Sequence, residues 1–336
     1  MLRASFVLEP THAVHLGQTF APLQRGQADP LMRAVSTPAE TIHWASAHEQ
    51  GINILLRCAR PAGAGLSAPF NVTLWAPGPS SSTHSGTLSP ASALEAFAEK
   101  VGGWVGENDC WSPFYASPAW QQLPERLKQA RAEAPGLRLP SIGLLSQNLL
   151  LAISEQRVTG IEAMGGMRAL LGRYGQQAPQ TGYPDQPADL LFFPPADVFA
   201  QIPDWDYHRA GFDRSRSSTM VHYARQAASF ERFAEESATG ELAQVLAGIP
   251  GVGPWTVAET LQRYCGHPDA VSVGDYHLAH HLTYAFDGVR GDDHRMLELL
   301  APYAGHRQRV VSLIKATGIH EPRRAPRYAP QDFRSF

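Results

Sequence analysis

The stretch LAGIPGVGPWTVAETLQRYCG, Leu246 to Gly266, reads as a helix, a very tight turn and a second helix. Leu242, Val245 and Leu246 share one face of the first helix, and Val257, Leu261 and Tyr264 repeat at helical spacing in the second. Pro254 suits the opening turn of that second helix, where its missing N–H costs nothing. Gly251 and Gly253 permit positive φ and a close backbone approach to a ligand. N–H groups exposed in such a turn form an anion site that can grip a phosphate without reading sequence. By itself, PGVG also fits an ordinary helix–turn–helix corner that uses glycine for geometry alone.

Nineteen residues after Thr256 comes Asp275, in PDAVSVGDYHLAHHL. Gly274 precedes it, and a helix predicted over Tyr276 to Phe286 follows, with Leu278, Leu282 and Ala285 on one face. Aspartate is a preferred N-cap, which is sufficient reason for its presence. A helix N-terminus also favours the ionised carboxylate, so the same position suits chemistry that needs negative charge at neutral pH.

Outside this region the chain has the balance of an ordinary globular protein. It has 336 residues, 43% hydrophobic and 18% charged, with a formal charge of −3. That length predicts two domains. The bulk charge gives no nucleic-acid signal, but from Ala301 onward six arginines and Lys315 face only Glu321 and Asp332. Such a basic tail reads equally as a solubilising surface or as phosphate contact. Cys58, Cys110 and Cys265 are far apart and contain no CxxC pair, which excludes a cysteine-built zinc or iron–sulfur site and fits a reducing cytoplasm. The N-terminus MLRASFVLEPTH lacks the apolar core of a signal peptide, and no stretch is long enough to span a membrane.

The expected fold is mainly α with an N-terminal α+β domain, divided at 1–138 and 139–336. Strands are predicted at Ile52–Ala59 and at Phe70–Ala76, where Phe70, Val72 and Leu74 alternate with Asn71, Thr73 and Trp75. Helices are predicted over Ala91–Val101 and Pro118–Ala134, with APGLRLP as the junction. Beyond Pro140 come helices at Leu145–Ser154 and Thr159–Tyr174, a Pro- and Gln-rich loop at Gln176–Ala188, and a helix over Asp213–Glu235. That last helix carries Tyr223, Ala227, Phe230 and Ala234 on one face. Further helices are expected at Leu242–Gly248, Thr256–Tyr264, Met296–Leu300 and His306–Ala316.

The block IPGVGPWT…VSVGDY resembles the helix-hairpin-helix, Gly-Pro-Asp signature of DNA glycosylases, and within that superfamily looks most like bacterial 3-methyladenine DNA glycosylase II. The resemblance runs from about Leu145 through SEQRVTG (Ser154–Gly160), WDYHRAGFDRSRSSTM (Trp205–Met220) and the hairpin to RGDDHRMLELLAPYAGHRQRVVSLI (Arg290–Ile314). Before Pro140 it rests on order and length, and implies a small antiparallel α+β domain. It implies that Asp275 is the catalytic aspartate, with Ile249, Gly251, Val252, Gly253 and Thr256 on the DNA backbone. Trp255 stands where bifunctional members carry a nucleophilic lysine; tryptophan cannot form a Schiff base, so water is the expected nucleophile. Tyr276 and Tyr303 fall near base-pocket positions. Gln156 and Arg157 match the loop that fills the gap left by a flipped base, although a small apolar wedge is more usual than Arg157. Glu259 stands where the alkylation-repair enzyme offers an aromatic.

The implied function is a monofunctional glycosylase that excises damaged purines, alkylated ones first, from double-stranded DNA in base excision repair. It is expected to act as a monomer, cytoplasmic and associated with a bacterial nucleoid. Extrusion is required because a stacked base is out of reach. A fixed carboxylate then opposes the charge that builds on the sugar. Trp255, Tyr276 and Tyr303 would stack on a cationic base. The alternatives are a non-catalytic helix-hairpin-helix DNA-binding protein, or a glycosylase for oxidised or deaminated purines with Glu259 as a hydrogen-bonding group. His277, His280 and His281 have a spacing that could bind zinc, but with no carboxylate or cysteine beside them a DNA-facing or solvated surface is expected. No cofactor or metal is expected in the chemistry; the family would allow a monovalent cation at the hairpin carbonyls near Gly251.

Overall fold

The computed structural model describes residues 1–78 and 88–319. The chain opens with strand β1 (Leu2–Leu8) and a short helix α1 (Leu16–Phe20), followed by β2 (Met32–Ser36), β3 (Glu40–Glu49), β4 (Ile52–Pro61) and β5 (Phe70–Ala76). These strands form one antiparallel sheet in the order β1-β5-β4-β3-β2. Side chains alternate across it. Ala45, Ile54, Leu56, Val72 and Leu74 face helix α2 (Pro90–Trp104), which contributes Leu94, Phe97, Val101 and Trp104. Ile42, Trp44, Leu55 and Trp75 point the other way.

That second face is covered by a segment expected to be a loop. Between α7 (Gly160–Tyr174) and the later helices, the chain makes a two-stranded hairpin, β6 (Gln176–Gln177) and β7 (Leu191–Phe192). Ala178, Leu190 and Phe192 pack on the sheet's tryptophans. Asp185 accepts hydrogen bonds from Trp44 Nε1 and Arg57 Nε, both at 2.9 Å. A Pro-rich segment is therefore fixed in place by one buried guanidinium and two indole faces.

After a short helix α3 (Ser112–Tyr115), two helices, α4 (Pro118–Gln122) and α5 (Glu125–Glu133), replace the single helix expected over Pro118–Ala134. Leu123 is extended because Pro124 follows it, which ends α4. Trp111, Phe114, Leu123 and Leu127 pack with Leu282, Met296, Leu300 and Val310, far along the helical part.

The centre of the helical part is α6 (Leu145–Ser154), every residue of which is buried. Around it stand α8 (Ala196–Gln201), α9 (Asp204–Arg209), α10 (Arg214–Ala224), α11 (Ala227–Glu236), α12 (Thr239–Ala247) and α13 (Pro254–Tyr264). The helix expected over Asp213–Glu235 breaks at Arg225-Gln226, yet Tyr223, Ala227, Phe230 and Ala234 still reach one core. The chain ends in α14 (Leu278–Asp287), α15 (Asp293–Leu300), a 3-10 turn at Ala301–Tyr303 and α16 (Arg307–Thr317). No helix among the described residues is long and apolar enough to cross a membrane.

Two of the tail's basic residues are structural. Arg307 pairs with Asp269, and Arg309 with Asp109. Arg323, Arg324, Arg327 and Arg334 lie outside the described residues. The Asp109 carboxylate takes two bonds from Arg309 (3.0 and 2.6 Å), one from Trp111 Nε1 and one from the Leu139 N–H. This nearly fully buried pair ties the segment after α2 to α16. Arg309→Met should strand the carboxylate and cost about 3–5 kcal/mol in urea unfolding, while the double replacement Asp109→Leu/Arg309→Met should cost clearly less. Equal losses would show that the pair is not the source of the effect.

Candidate active site

The turn between α12 and α13 has the predicted geometry. Gly251 lies at φ +87° and Gly253 is the extended N-cap of α13, with Pro254 at its first turn. A Cβ on Gly251 would lie 2.1 Å from Thr219 Oγ1, so glycine is required here for close approach as well as for φ. Ile249 and Val252 are buried and serve the core with their side chains. What the turn offers outward is backbone: Pro250 and Gly251 are exposed, and the unsatisfied N–H groups of the first turn of α13 follow.

The loop between α6 and α7 is tied to that turn. Gln156 Nε2 donates to Gly251 O (2.9 Å) and to Thr256 Oγ1 (2.8 Å). Thr256 is thus a buried anchor for the loop. The Gly251 carbonyl is already an acceptor for Gln156, and that of Ile249 for the Val252 N–H. Next to Gln156, Arg157 is exposed and sits at φ +57°, a left-handed conformation that a residue with a Cβ rarely adopts. The backbone there turns Arg157 outward beside the hairpin.

Asp275 follows Gly274, itself at φ +89°. Its Oδ1 accepts the N–H groups of His277 and Leu278, both at 2.9 Å, and its Oδ2 accepts Trp255 Nε1 at 3.2 Å. The capping role is therefore real, although α14 starts at Leu278, two residues later than expected. The indole bond is new: it joins the first turn of the hairpin's second helix to the carboxylate.

Asp275 stands on the wall of a cavity of about 240 Å³. The expected aromatic box does not line it. Tyr276 is 78% exposed and packs its edge on His277. Tyr303 is 3% exposed in the C-terminal core and bonds Gln122 O through its hydroxyl. Trp255 serves Asp275. The lining is instead Glu259, Ser272 and Gln308, with His277, His281 and Lys315 and the apolar Leu278, Leu282, Val311 and Ile314. Glu259 is a second carboxylate in a site expected to have one, but it is not free. It pairs with Arg263 at 2.6 Å and accepts the Ser272 hydroxyl. Burial alone would raise its pKa; Arg263 and Ser272 outweigh burial and hold it down to about 2. Gln308 is 5% exposed, and its Oε1 has no protein partner among the described residues. Sequence reasoning missed Ser272, Gln308 and Lys315; the only signal was a polar residue at 308 on the helix face that carries Val311. Of the three histidines, His277 and His281 stack at 5.7 Å, while His280 Nδ1 lies 2.7 Å from Gly291 O. No group of three or more metal-binding side chains is gathered among the described residues.

No family model matches the chain, and no curated protein does. Among solved structures it is similar over 92% of its length, and 97% of the other chain, to a 3-methyladenine DNA glycosylase from Archaeoglobus fulgidus, with a TM-score of 0.67 at 15% identity. It is also similar to an 8-oxoguanine glycosylase/lyase from Clostridium acetobutylicum. The apo form covers 93% of this chain and 95% of that one, with a TM-score of 0.62 at 12% identity. The same enzyme bound to double-stranded DNA with cytosine opposite 8-oxoguanine covers 95% and 98%, with a TM-score of 0.62 at 11% identity. The likeness spans sheet and helices together, so the described residues have the two-part fold of these glycosylases.

The contact at Gly251 separates folding from binding at the hairpin. Gly251→Ala should lower stability by about 1–3 kcal/mol in urea unfolding through the positive φ and the clash with Thr219. Adding Thr219→Ala should recover part of the loss. Gly253→Ala, with open space around its Cβ, should stay within about 0.5 kcal/mol of the wild type. A Gly251→Ala protein of unchanged stability would contradict this account.

Proposed function

We propose that the chain is a monofunctional DNA glycosylase that turns a damaged purine out of the duplex into this cavity and hydrolyses its N-glycosidic bond. The observation that carries the reading is Asp275, whose two oxygens take three N–H donors beside a cavity and one helix away from a phosphate-type hairpin. These bonds hold the carboxylate in one orientation before the reaction, so it can oppose positive charge on the sugar without reorganising. The hairpin grips phosphate and leaves sequence unread. The similar structures include one bound to DNA, which supports a duplex as the partner.

The relative from Archaeoglobus supports an alkylated purine as substrate. The polar cavity favours a second reading. With Glu259, Ser272 and Gln308 on the lining and no aromatic box, the site suits a base recognised by hydrogen bonds at its edge, such as an oxidised or deaminated purine. Duplexes carrying 3-methyladenine, 7-methylguanine, hypoxanthine or 8-oxoguanine distinguish these readings by which base is released.

Asp275→Asn should lower base release on the order of a hundredfold or more while DNA affinity holds. Near wild-type turnover would sink the assignment, and a wild type that binds DNA but releases no base would leave a DNA-binding protein. Borohydride should trap no covalent adduct, since Trp255 replaces the lyase lysine; an adduct that disappears in Lys315→Ala would instead assign a lyase role to the one lysine on the cavity wall.

Arg157 is proposed to occupy the space vacated by the base, because its guanidinium can stack and donate to the orphaned partner. Arg157→Ala should cut release from a stable pair by about tenfold and release from a mismatch much less, since flipping a mismatched base is cheap. Equal losses on both, with a smaller salt slope, would make Arg157 a phosphate contact.

A further inference from the structure

Beyond the carboxylate, the cavity holds a pair of imidazoles, which the single-carboxylate scheme leaves unused. His277, the residue before α14, and His281, one turn into it, stack with ring centroids 5.7 Å apart and line the same cavity as Asp275. Asp275 precedes the helix; of the residues that share the cavity lining with it, His277 is exposed, His281 is half-buried, and Leu278 and Leu282 beside it are buried. A nucleotide with its sugar against Asp275 would therefore extend its base along this wall, past His281.

The other polar groups on the lining are poor proton donors. Glu259 is ionised and held by Arg263, and the Ser272 hydroxyl donates to Glu259. Imidazole is the side chain best suited to giving and regaining a proton near neutral pH. We propose that His281 is the general acid of the reaction and protonates a neutral purine as it leaves. The proposal rests on reading Asp275 as the carboxylate of a glycosylase.

The step balances as follows. The C1′–N9 bond breaks and its electron pair goes to the purine. A proton passes from the His281 imidazolium to a ring nitrogen of the base, which departs neutral. Water adds to C1′ and gives its proton to Asp275, and solvent recharges the imidazole. A base that is already cationic, such as 7-methylguanine, departs neutral without that proton. The histidine thus extends the site to lesions that carry no charge.

The test compares hypoxanthine and 7-methylguanine in otherwise identical duplexes, in single turnover, with the full chain. His281→Ala should slow release of hypoxanthine about a hundredfold or more and leave 7-methylguanine within about threefold. His277→Gln and Lys315→Gln should not reproduce that selectivity. Equal losses on both bases, no loss on hypoxanthine, selectivity that follows His277 or Lys315, or a wild type that releases 7-methylguanine alone would each overturn the proposal. If the wild type releases hypoxanthine alone, added imidazole decides: restored release in His281→Ala supports the acid role, and no restoration rejects it. A wild type that releases neither of these two bases overturns the proposal, and one that also releases neither 3-methyladenine nor 8-oxoguanine removes the glycosylase reading itself.

Discussion

A helix with no solvent face governs the geometry of this molecule. Because α6 is buried on every side, it cannot rotate or slide without breaking contacts with several partners at once. The loop that leaves its C-terminus therefore starts from a fixed point. Gln156 carries that fixity to the hairpin, Trp255 carries it on to Asp275, and Asp275 caps α14. The distance between the phosphate grip and the carboxylate is thus set by core packing and relayed by hydrogen bonds, none of which needs to be strong alone.

The electrostatics follow the same division. Two carboxylates border one cavity, with different tasks. Glu259 is locked to Arg263 and Ser272 and stays ionised as part of the wall. Asp275 is half-buried, held by backbone and indole N–H groups, and among the described residues has no cationic side chain bonded to it. A carboxylate neutralised by a guanidinium would be of little use against charge on a sugar; one held by neutral dipoles keeps its full charge.

The sequence shows this architecture where residue identity carries backbone meaning. Gly251, Gly253, Pro254 and the offset to Asp275 mark the hairpin and the cap because few other residues can stand there. Strands β4 and β5 are legible from apolar runs. Strand β3 is not, since its buried positions include His43, Ala45, Ser46 and Ala47, which carry no alternation of hydrophobicity. That Trp255, Tyr276 and Tyr303 are not among the cavity's lining residues has a different reason. Where Tyr276 or Tyr303 points depends on how α14 and the 3-10 turn are docked, and no local spacing encodes that. Gln308 was hidden likewise, as one polar residue in an amphipathic helix whose neighbours belong to the core.

The clasp formed by Asp185 also bears on how the chain is made. The sheet is complete by Ala76, but the cover for its outer tryptophans is not synthesised until Phe192. On the ribosome, the face formed by Ile42, Trp44 and Trp75 emerges more than a hundred residues ahead of its partner, and Arg57 has Glu40 at hand but must wait for Asp185, 128 positions away. Contacts of such long separation form late and leave sticky surface open meanwhile.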